Sequence, residues 1–451
     1  MKWLLGAILF FQFEAHAQVF SLTLEQAEEQ AFRTSPALKS AQASSEAAAS
    51  QAMVSKSFLW PRISLDGTYY YQSNVPEADM GPVGTIKFGT HNNYFIGPVL
   101  SYTLFDGGQS RNNFESFLAV NEARRADYQA RQAQLRLNLR VSYFRVQLAL
   151  KSLMLTADAL KLAQAQSHDI DVRFRAGASS RLDQVSANKD MLSYQMRFNQ
   201  AQGDLGRALR DLFSLTGGGE TLDTSRPIPN ELTRNIPAGV ESPSLVVQLD
   251  TPEKSLEKVL GRTGNEPALN HPELVSLEKI TQASQQAAES AKGGYWPLLQ
   301  LQAKAQWIYP NLVIPEQAWQ NTLGVNLVFP LFEGNLTPNQ VSQRNSEALA
   351  SDFQRQQRQV DFQKDWRKIQ DGLENLKRQQ KINQQTVKQS HEIEKLTYQA
   401  YRSGRVRFLD VQSANFRLLE SQVNAAEIDH QILEQNANLE YLASQAEDQR
   451  R

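Results

Sequence analysis

The spacing of apolar and polar positions switches between a helical period and a period of two in the same order twice along this 451-residue chain. From Asp106 to Arg175 no proline interrupts a helical pattern. Within it Leu135, Leu139, Ser142, Val146, Ala149, Leu153, Thr156, Leu160, Ala163, Ser167, Ile170 and Phe174 step by alternating four and three, the spacing of a coiled-coil seam. From Glu333 to Arg402 the pattern returns with only Pro338 near its start, and its seam of Phe362, Trp366, Ile369, Leu373 and Leu376 turns polar after about Gln380. At 1.5 Å rise per residue, each stretch predicts a rod of roughly 105 Å. Ahead of each rod the period becomes two. Leu299, Leu301, Ala303, Ala305, Trp307 and Tyr309, then Leu323, Val325, Leu327, Phe329 and Leu331, alternate with mostly polar neighbours, and Ile63, Leu65, Tyr69, Tyr71, Ile96, Leu100, Tyr102 and Leu104 do so more noisily. These predict hairpins over about 62–104 and 298–331.

The two series are copies. Ser35-Pro36-Ala37-Leu38 recurs as His271-Pro272-Glu273-Leu274 and Leu59-Trp60-Pro61 as Tyr295-Trp296-Pro297, both displaced by 236 residues. Leu104-Phe105-Asp106-Gly107 recurs as Leu331-Phe332-Glu333-Gly334, and Gly177, Leu182-Asp183 and Ser186-Ala187-Asn188 recur as Gly404, Leu409-Asp410 and Ser413-Ala414-Asn415, all displaced by 227. An ordered series at constant displacement marks an internal duplication. The nine-residue difference accumulates between Pro61 and Leu104.

Each copy therefore reads as helix, hairpin, long helix and returning helix. Thr23 with Gln26 forms a capping box that opens a helix expected to run to about Phe58, where Trp60-Pro61 stops it. The returning helices, about Ser179 to Leu215 and Phe408 to Ala446, are half the length of the rods. Ten-residue strands with one apolar face and aromatic ends suit a membrane barrel. Four strands per chain are too few to close one, since about eight is the minimum. Three chains would supply twelve strands and, below them, a tube of twelve rods. The expected fold is a mixed α/β membrane protein: a trimeric 12-stranded β-barrel continuing into a long α-helical coiled-coil barrel. The first repeat is placed at 18–215, an equatorial linker rich in Gly, Pro and Ser at 216–254, the second repeat at 255–446, and a polar tail at 447–451.

Composition narrows the setting. Lys2, an apolar run from Trp3 to Phe13 and Ala15-His16-Ala17 read as a signal peptide over 1–17. The chain has no cysteine, which excludes a disulfide framework, a thiolate metal site and an acylated N-terminal cysteine. Its 47 basic and 48 acidic residues give no net field to attract nucleic acid. No catalytic constellation, metal site or cofactor motif emerges: His391-Glu392 lacks a second histidine, and Gly217-Gly218-Gly219-Glu220 lacks the Lys-Ser/Thr of a phosphate loop. A secreted or periplasmic coiled-coil scaffold or adhesin is the alternative reading, although alternating strands between helices have no use there.

Taken in order, these motifs resemble the TolC-like outer-membrane efflux proteins over essentially the whole mature chain. The likeness rests on Leu22-Thr23-Leu24-Glu25-Gln26-Ala27, Ser35-Pro36-Ala37-Leu38, Trp60-Pro61 and Leu104-Phe105-Asp106-Gly107-Gly108. It also rests on Phe174-Arg175-Ala176-Gly177-Ala178-Ser179 and on Tyr401-Arg402-Ser403-Gly404 with Leu409-Asp410-Val411. The resemblance implies a homotrimer in the outer membrane of a Gram-negative bacterium, in contact with outer-membrane lipid, with its helical barrel in the periplasm and narrowed at its inner tip. It implies tip loops that dock a periplasmic adaptor, through which an inner-membrane pump is reached indirectly, in an efflux or type I secretion system. Here those loops are Ala176, Gly177, Ala178 and Ser179, and Ser403, Gly404, Arg405 and Val406. Asp410 matches a carboxylate that rings the closed end, Tyr401 a residue that tethers neighbouring helices, and Ser413 replaces the next acidic position. Asp183, the repeat partner of Asp410, and Arg173, Arg175, Arg181, Arg402, Arg405 and Arg407 crowd the same two tips, so arginine-to-aspartate pairs are expected to hold the mouth shut.

Overall fold

The computed structural model describes residues 19–217, 246–260 and 266–445; the predicted signal peptide, most of the linker and the C-terminal tail lie outside the described residues. In chain order the elements are β1 (Val19–Ser21), α1 (Leu24–Thr34), α2 (Pro36–Ser57), β2 (Arg62–Tyr71), β3 (Glu77–Asp79), β4 (Thr85–Lys87), β5 (Asn92–Phe105), α3 (Gln109–Arg175) and α4 (Arg181–Thr216). They continue with β6 (Val246–Gln248), α5 (Pro252–Leu260), α6 (Pro272–Lys292), β7 (Leu298–Tyr309), β8 (Ala318–Val328), α7 (Leu336–Arg402) and α8 (Phe408–Ala443). Both long helices have 67 residues. Among the described residues no helix is long and apolar enough to cross a membrane.

The chain divides into two compact units, with boundaries inside α2, α3 and α7. One unit, Lys39–Ala130 with Leu269–Asp361, contains an antiparallel sheet of order β2-β5-β7-β8. The duplication reappears as strand register. Arg62 pairs with Ser101 and Tyr71 with Asn92, while Leu298 pairs with Val328 and Trp307 with Trp319. The second pair of partners follows from the first under the displacements of 236 and 227 found in the sequence. The nine additional residues sit in the first hairpin's connection, which carries the small β3–β4 ribbon.

The inner strands β5 and β7 join the repeats, and their contact is close. A Cβ on Gly97 would lie 2.1 Å from the Ala305 carbonyl oxygen. Beside it Pro98 lacks an N–H, and neither residue takes part in the pairing with β7, so an inner strand accommodates a proline where the ladder is interrupted. Aromatic side chains collect at both ends of the sheet. Tyr94 stacks on Tyr309 at 5.3 Å and Trp307 lies 6.2 Å from Trp319 at one end, and Phe105 meets Trp296 edge-on at 6.2 Å at the other. The outer strands are bare: every residue of β2, and all of β8 but its first, is exposed. Helix α6 packs on the adjoining turns of α3 and α7 through Ser290 Oγ to the Gln109 carbonyl (2.9 Å), Ser116 Oγ to the Ala283 carbonyl (2.8 Å) and an Arg358 fork on Glu273 (2.6 and 2.9 Å).

The other unit, Arg131–Ala268 and Phe362–Gln445 with the residues before Lys39, is helical. Its core is the seam read from the sequence: Leu139, Val146, Ala149, Leu153, Leu160 and Ala163 of α3 are buried against Phe198, Leu205 and Leu212 of α4 and Leu433 of α8. Burying each leucine-sized side chain contributes about 1.5–3 kcal/mol. Where the α7 seam turns polar, Asn383 is buried and donates to the Ser421 carbonyl at 3.2 Å.

One expectation is corrected here. The opening helix does not run unbroken to Phe58 but ends at Thr34 and restarts at Pro36. Proline has no N–H for the ladder and its ring collides with the preceding turn. The break turns α1 into the helical unit, where Ala27 and Ala31 are fully buried.

Around α1 a polar network ties two distant segments to α3. The Tyr143 hydroxyl donates to the Leu22 carbonyl at 2.9 Å and accepts from the Asp250 N–H at 2.8 Å. Gln147 donates to the Asp250 carbonyl (2.5 Å) and Ser255 Oγ (3.0 Å). The Asp250 carboxylate accepts from Leu24 N–H and Lys258 Nζ, each at 3.1 Å. Here β1 and β6 pair in parallel. Burial raises the Tyr143 phenol far above its ordinary value. For Asp250 burial acts the same way, but the Leu24 N–H and the Lys258 ammonium outweigh it and hold the carboxyl below its usual range. Nearby, Arg140 is buried between Glu28, at 2.6 Å from Nε, and Glu440.

Two predictions follow from these buried charges. Arg140→Ala leaves Glu440 without this guanidinium and Glu28 with Arg136 at 3.6 Å, and should cost about 3 kcal/mol, read as a fall in the thermal unfolding midpoint in detergent, whereas apolar replacement of all three residues should cost much less. Asp250 stabilises the fold fully above the unfolded carboxylate value of about 3.9, and that contribution is lost as pH falls through its depressed folded value. Asp250→Asn should therefore be less stable at neutral pH and show a shallower loss of stability in acid titrations followed by circular dichroism.

Candidate functional site: the paired helical tips

Each long helix reverses through the same backbone. After α3, the Gly177 N–H bonds the Phe174 carbonyl at 3.0 Å and the Ala178 N–H bonds the Arg173 carbonyl at 2.8 Å. After α7, Gly404 bonds Tyr401 at 2.9 Å and Arg405 bonds Ala400 at 2.9 Å, the same pattern 227 residues on. Gly177 and Gly404 adopt φ of +74° and +73°, the left-handed conformation that closes a helix in this way.

The returning helices start differently. In the first repeat the Ser180 hydroxyl caps α4, accepting from the Asp183 N–H at 3.0 Å. In the second, the equivalent residue is Arg407, which has no acceptor to offer. The Asp410 carboxylate reaches back to the Arg407 N–H at 3.0 Å instead. Both aspartates lie in the first turn, where a negative charge is favoured by the helix dipole. Asp410 is exposed and Asp183 partly so.

The structure brings the two tips together. Ile170, Ala187, Phe408 and Val411 form a small buried cluster against which Tyr398 and Tyr401 pack, with the Tyr401 ring 5.5 Å from Phe408. The Tyr401 hydroxyl lies 3.5 Å from Ser179 Oγ, and Ser179 Oγ lies 3.4 Å from the Asp183 carboxylate. Tyr398 donates to Asp169 at 3.3 Å, and Asp169 also accepts from Arg173 at 3.0 Å. Burial, and then the adjacent Asp169 charge, push the Tyr398 phenol upward, so it stays a donor. Further up, Gln412 donates to the Ser186 carbonyl (2.9 Å) and Asn415 to Gln166 (2.8 Å).

The arginines are placed differently from one another. Arg175 pairs with Asp171 at 2.6 Å and Arg173 with Asp169, both within α3. Among the described residues neither Asp410 nor Asp183 has an ion-pair partner in its own chain, and Arg402, Arg405 and Arg407 stand exposed. Of the eight loop residues predicted to dock a partner, Ala176, Gly177, Ala178, Ser403, Gly404 and Arg405 are exposed, and Ser179 and Val406 are half-buried.

Sequence reasoning passed over two residues here. Leu182 and Leu409 occupy equivalent positions just after the loops, and they are 74% and 59% exposed. An apolar side chain bare at the same place in both repeats is a contact candidate, and its repetition before each aspartate was the signal available. Asp169 and Tyr398, 229 residues apart, carried no such signal.

Comparisons with known proteins agree with this architecture. The family model for outer membrane efflux proteins matches residues 28–218 and 265–444. Among solved structures, the outer membrane protein VceC from Vibrio cholerae superimposes with a TM-score of 0.75 at 16% identity, covering 94% of this chain and 96% of its own. The CmeC outer membrane channel from Campylobacter jejuni gives 0.74 at 17% identity, covering 94% and 87%. The outer-membrane channel OprN gives 0.74 at 17%, covering 93% and 89%. At such identities the superpositions speak for the fold. No match was found among curated proteins. With the family model spanning both repeats, the chain belongs to the outer membrane efflux protein family.

Proposed function

We propose that three copies of this chain close their sheets into one twelve-stranded barrel in the outer membrane, and that the helices below form the exit duct of an efflux or type I secretion assembly. The observation that carries this reading is a four-stranded sheet bare on both outer strands, in a chain none of whose described helices is long and apolar enough to cross a membrane. A secreted scaffold or adhesin has no need for such a sheet. Cargo reaches the duct from an inner-membrane pump through a periplasmic adaptor, which docks on Ala176, Gly177, Ala178 and Ser179 and on Ser403, Gly404, Arg405 and Val406. Leu182 and Leu409 add an apolar contact to each loop. Asp410, Tyr401, Asp183, Arg175, Arg402 and Arg405 form the gate. Support for the gate comes from the Tyr401–Ser179 contact between tips and from two aspartates that are hydrogen-bonded at the helix starts but, among the described residues, carry no ion-pair partner in their own chain, which leaves their charge to a neighbouring copy's arginines.

Purification from outer-membrane fractions in mild detergent should give a trimer that conducts in planar bilayers with a small, gated conductance. A water-soluble monomer without conductance overturns the barrel and the duct together. For the gate, Asp410→Ala should raise single-channel conductance. Asp410→Asn retains an acceptor for the Arg407 N–H while removing the charge, so it should raise conductance equally if charge holds the mouth shut. Unchanged conductance in both variants removes Asp410 from the gate.

A further inference from the structure

We infer that β8 of one copy pairs with β2 of the next in the register by which β5 pairs with β7, and that the neighbouring copy's Trp60 seats over Gly334 as Trp296 seats over Gly107. The inference rests on the copies closing one barrel, as proposed above, and it names the seam residue by residue.

Within one chain, the junction between repeats is complete. There Tyr102 faces Leu301 and Ser101 faces Gln302, with a bulge before Phe105 faces Leu299. At its foot a Cβ on Gly107 would fall 2.6 Å from the Cβ of Trp296, so the indole rests on a glycine that has no room for any side chain. Phe105 closes the same corner edge-on.

The equivalent positions at the chain's outer edges hold the same parts, unassembled. Gly334 adopts φ of +57°, close to the +65° of Gly107, and has no neighbouring atom within 4 Å of a built Cβ. Asn335 repeats the left-handed conformation of Gly108, as asparagine can. The equivalent of Trp296 is Trp60, on the opposite edge, 65% exposed; the equivalent of Phe105 is Phe332, 91% exposed against 44% for Phe105. Strand β5, paired on both sides, continues to Phe105, while β8 stops at Val328 and leaves its corresponding residues, Phe329 to Phe332, without a ladder. What is missing at that edge is a second strand.

Transferring the β5–β7 register through the displacements sets Phe329 opposite the neighbouring copy's Leu65, Val328 opposite its Asp66 and Leu327 opposite its Gly67. Past the bulge, Phe332 faces its Ile63. The adjoining helices are compatible. The Lys279–Glu122 ion pair at 2.7 Å maps onto Ala43 and Leu349, both exposed in the single chain, so a charged contact inside the chain becomes an apolar one between chains and no charge is stranded. A head-to-tail contact of this kind generates a closed ring when its rotation closes.

The chain's lack of cysteine makes the seam directly testable. Phe329→Cys with Leu65→Cys should give a covalent trimer on non-reducing gels after mild oxidation, because directly opposed strand residues lie within disulfide reach. Phe329→Cys with Gly67→Cys, two residues out of register, should cross-link far less. The internal pair Tyr102→Cys with Leu301→Cys should form without any increase in mass. Separately, Gly334→Asn tolerates the backbone but fills the space reserved for Trp60, so it should lower the temperature at which the trimer dissociates. Adding Trp60→Ala should restore part of that loss. Gly81→Asn, also at a left-handed glycine in open space, should change nothing. Faster cross-linking at Gly67, or a trimer indifferent to Gly334→Asn, overturns the register while leaving the duct intact. Loss of the trimer in the unmodified protein would overturn both.

Discussion

A β-strand placed in hydrocarbon must have a partner on each side, because its N–H and C=O groups find no water there and each unsatisfied group costs several kcal/mol. The rest of this molecule is arranged around that constraint. Four strands provide three satisfied junctions and two open edges. Among the described residues nothing else in the chain can repair this: the segments flanking the hairpins are helices, which have no backbone groups to lend. On the reading proposed above, its sheet is an incomplete structure that other copies of the chain finish.

The duplication makes that completion geometrically simple. Because the second repeat reproduces the first to the register of individual strand pairs, one junction used inside the chain can serve again between chains. The helical unit shows the same economy at its tips, where two loops share a hydrogen-bonding pattern but not a chemistry. Ser180 caps one returning helix with its hydroxyl, and Asp410 caps the other by reaching backward. Both tips keep the aspartate, but only in the second does it take over the cap that a serine supplies in the first.

Long elements are legible in the sequence because each is specified many times over. The α3 seam repeats through a dozen positions, so no single ambiguous residue obscures it, and both rods end at an arginine before a loop that holds a glycine. Strand pairs are legible because the duplication supplies a second copy to align with the noisier first. Contacts that join remote parts of the chain leave no such trace. The parallel pairing of β1 with β6 spans more than two hundred residues, and one hydroxyl, that of Tyr143, grips Leu22 and Asp250 just beyond the two strands. The interruption at Ser35-Pro36 is visible as a proline, yet its importance lies in redirecting α1 into a core that periodicity does not locate. The candidate gate divides the same way: its loops follow from sequence, whereas the Tyr398–Asp169 and Tyr401–Ser179 bridges depend on how two hairpins lie side by side.

The equal length of α3 and α7 has a consequence for how such a protein can change over generations. Each residue added to a helix advances its end by about 1.5 Å and turns it by about 100°. A single insertion in one rod would carry Tyr401 past Ser179 and swing it off the shared face, while the sister rod stayed put. Two genes' worth of sequence, once fused, must then drift in length together or not at all. The nine residues by which the halves differ all lie in the connection that carries the β3–β4 ribbon, the one stretch of the repeat whose growth moves neither rod. Lineages descended from this chain are free to rewrite that connection and are held to a fixed measure elsewhere.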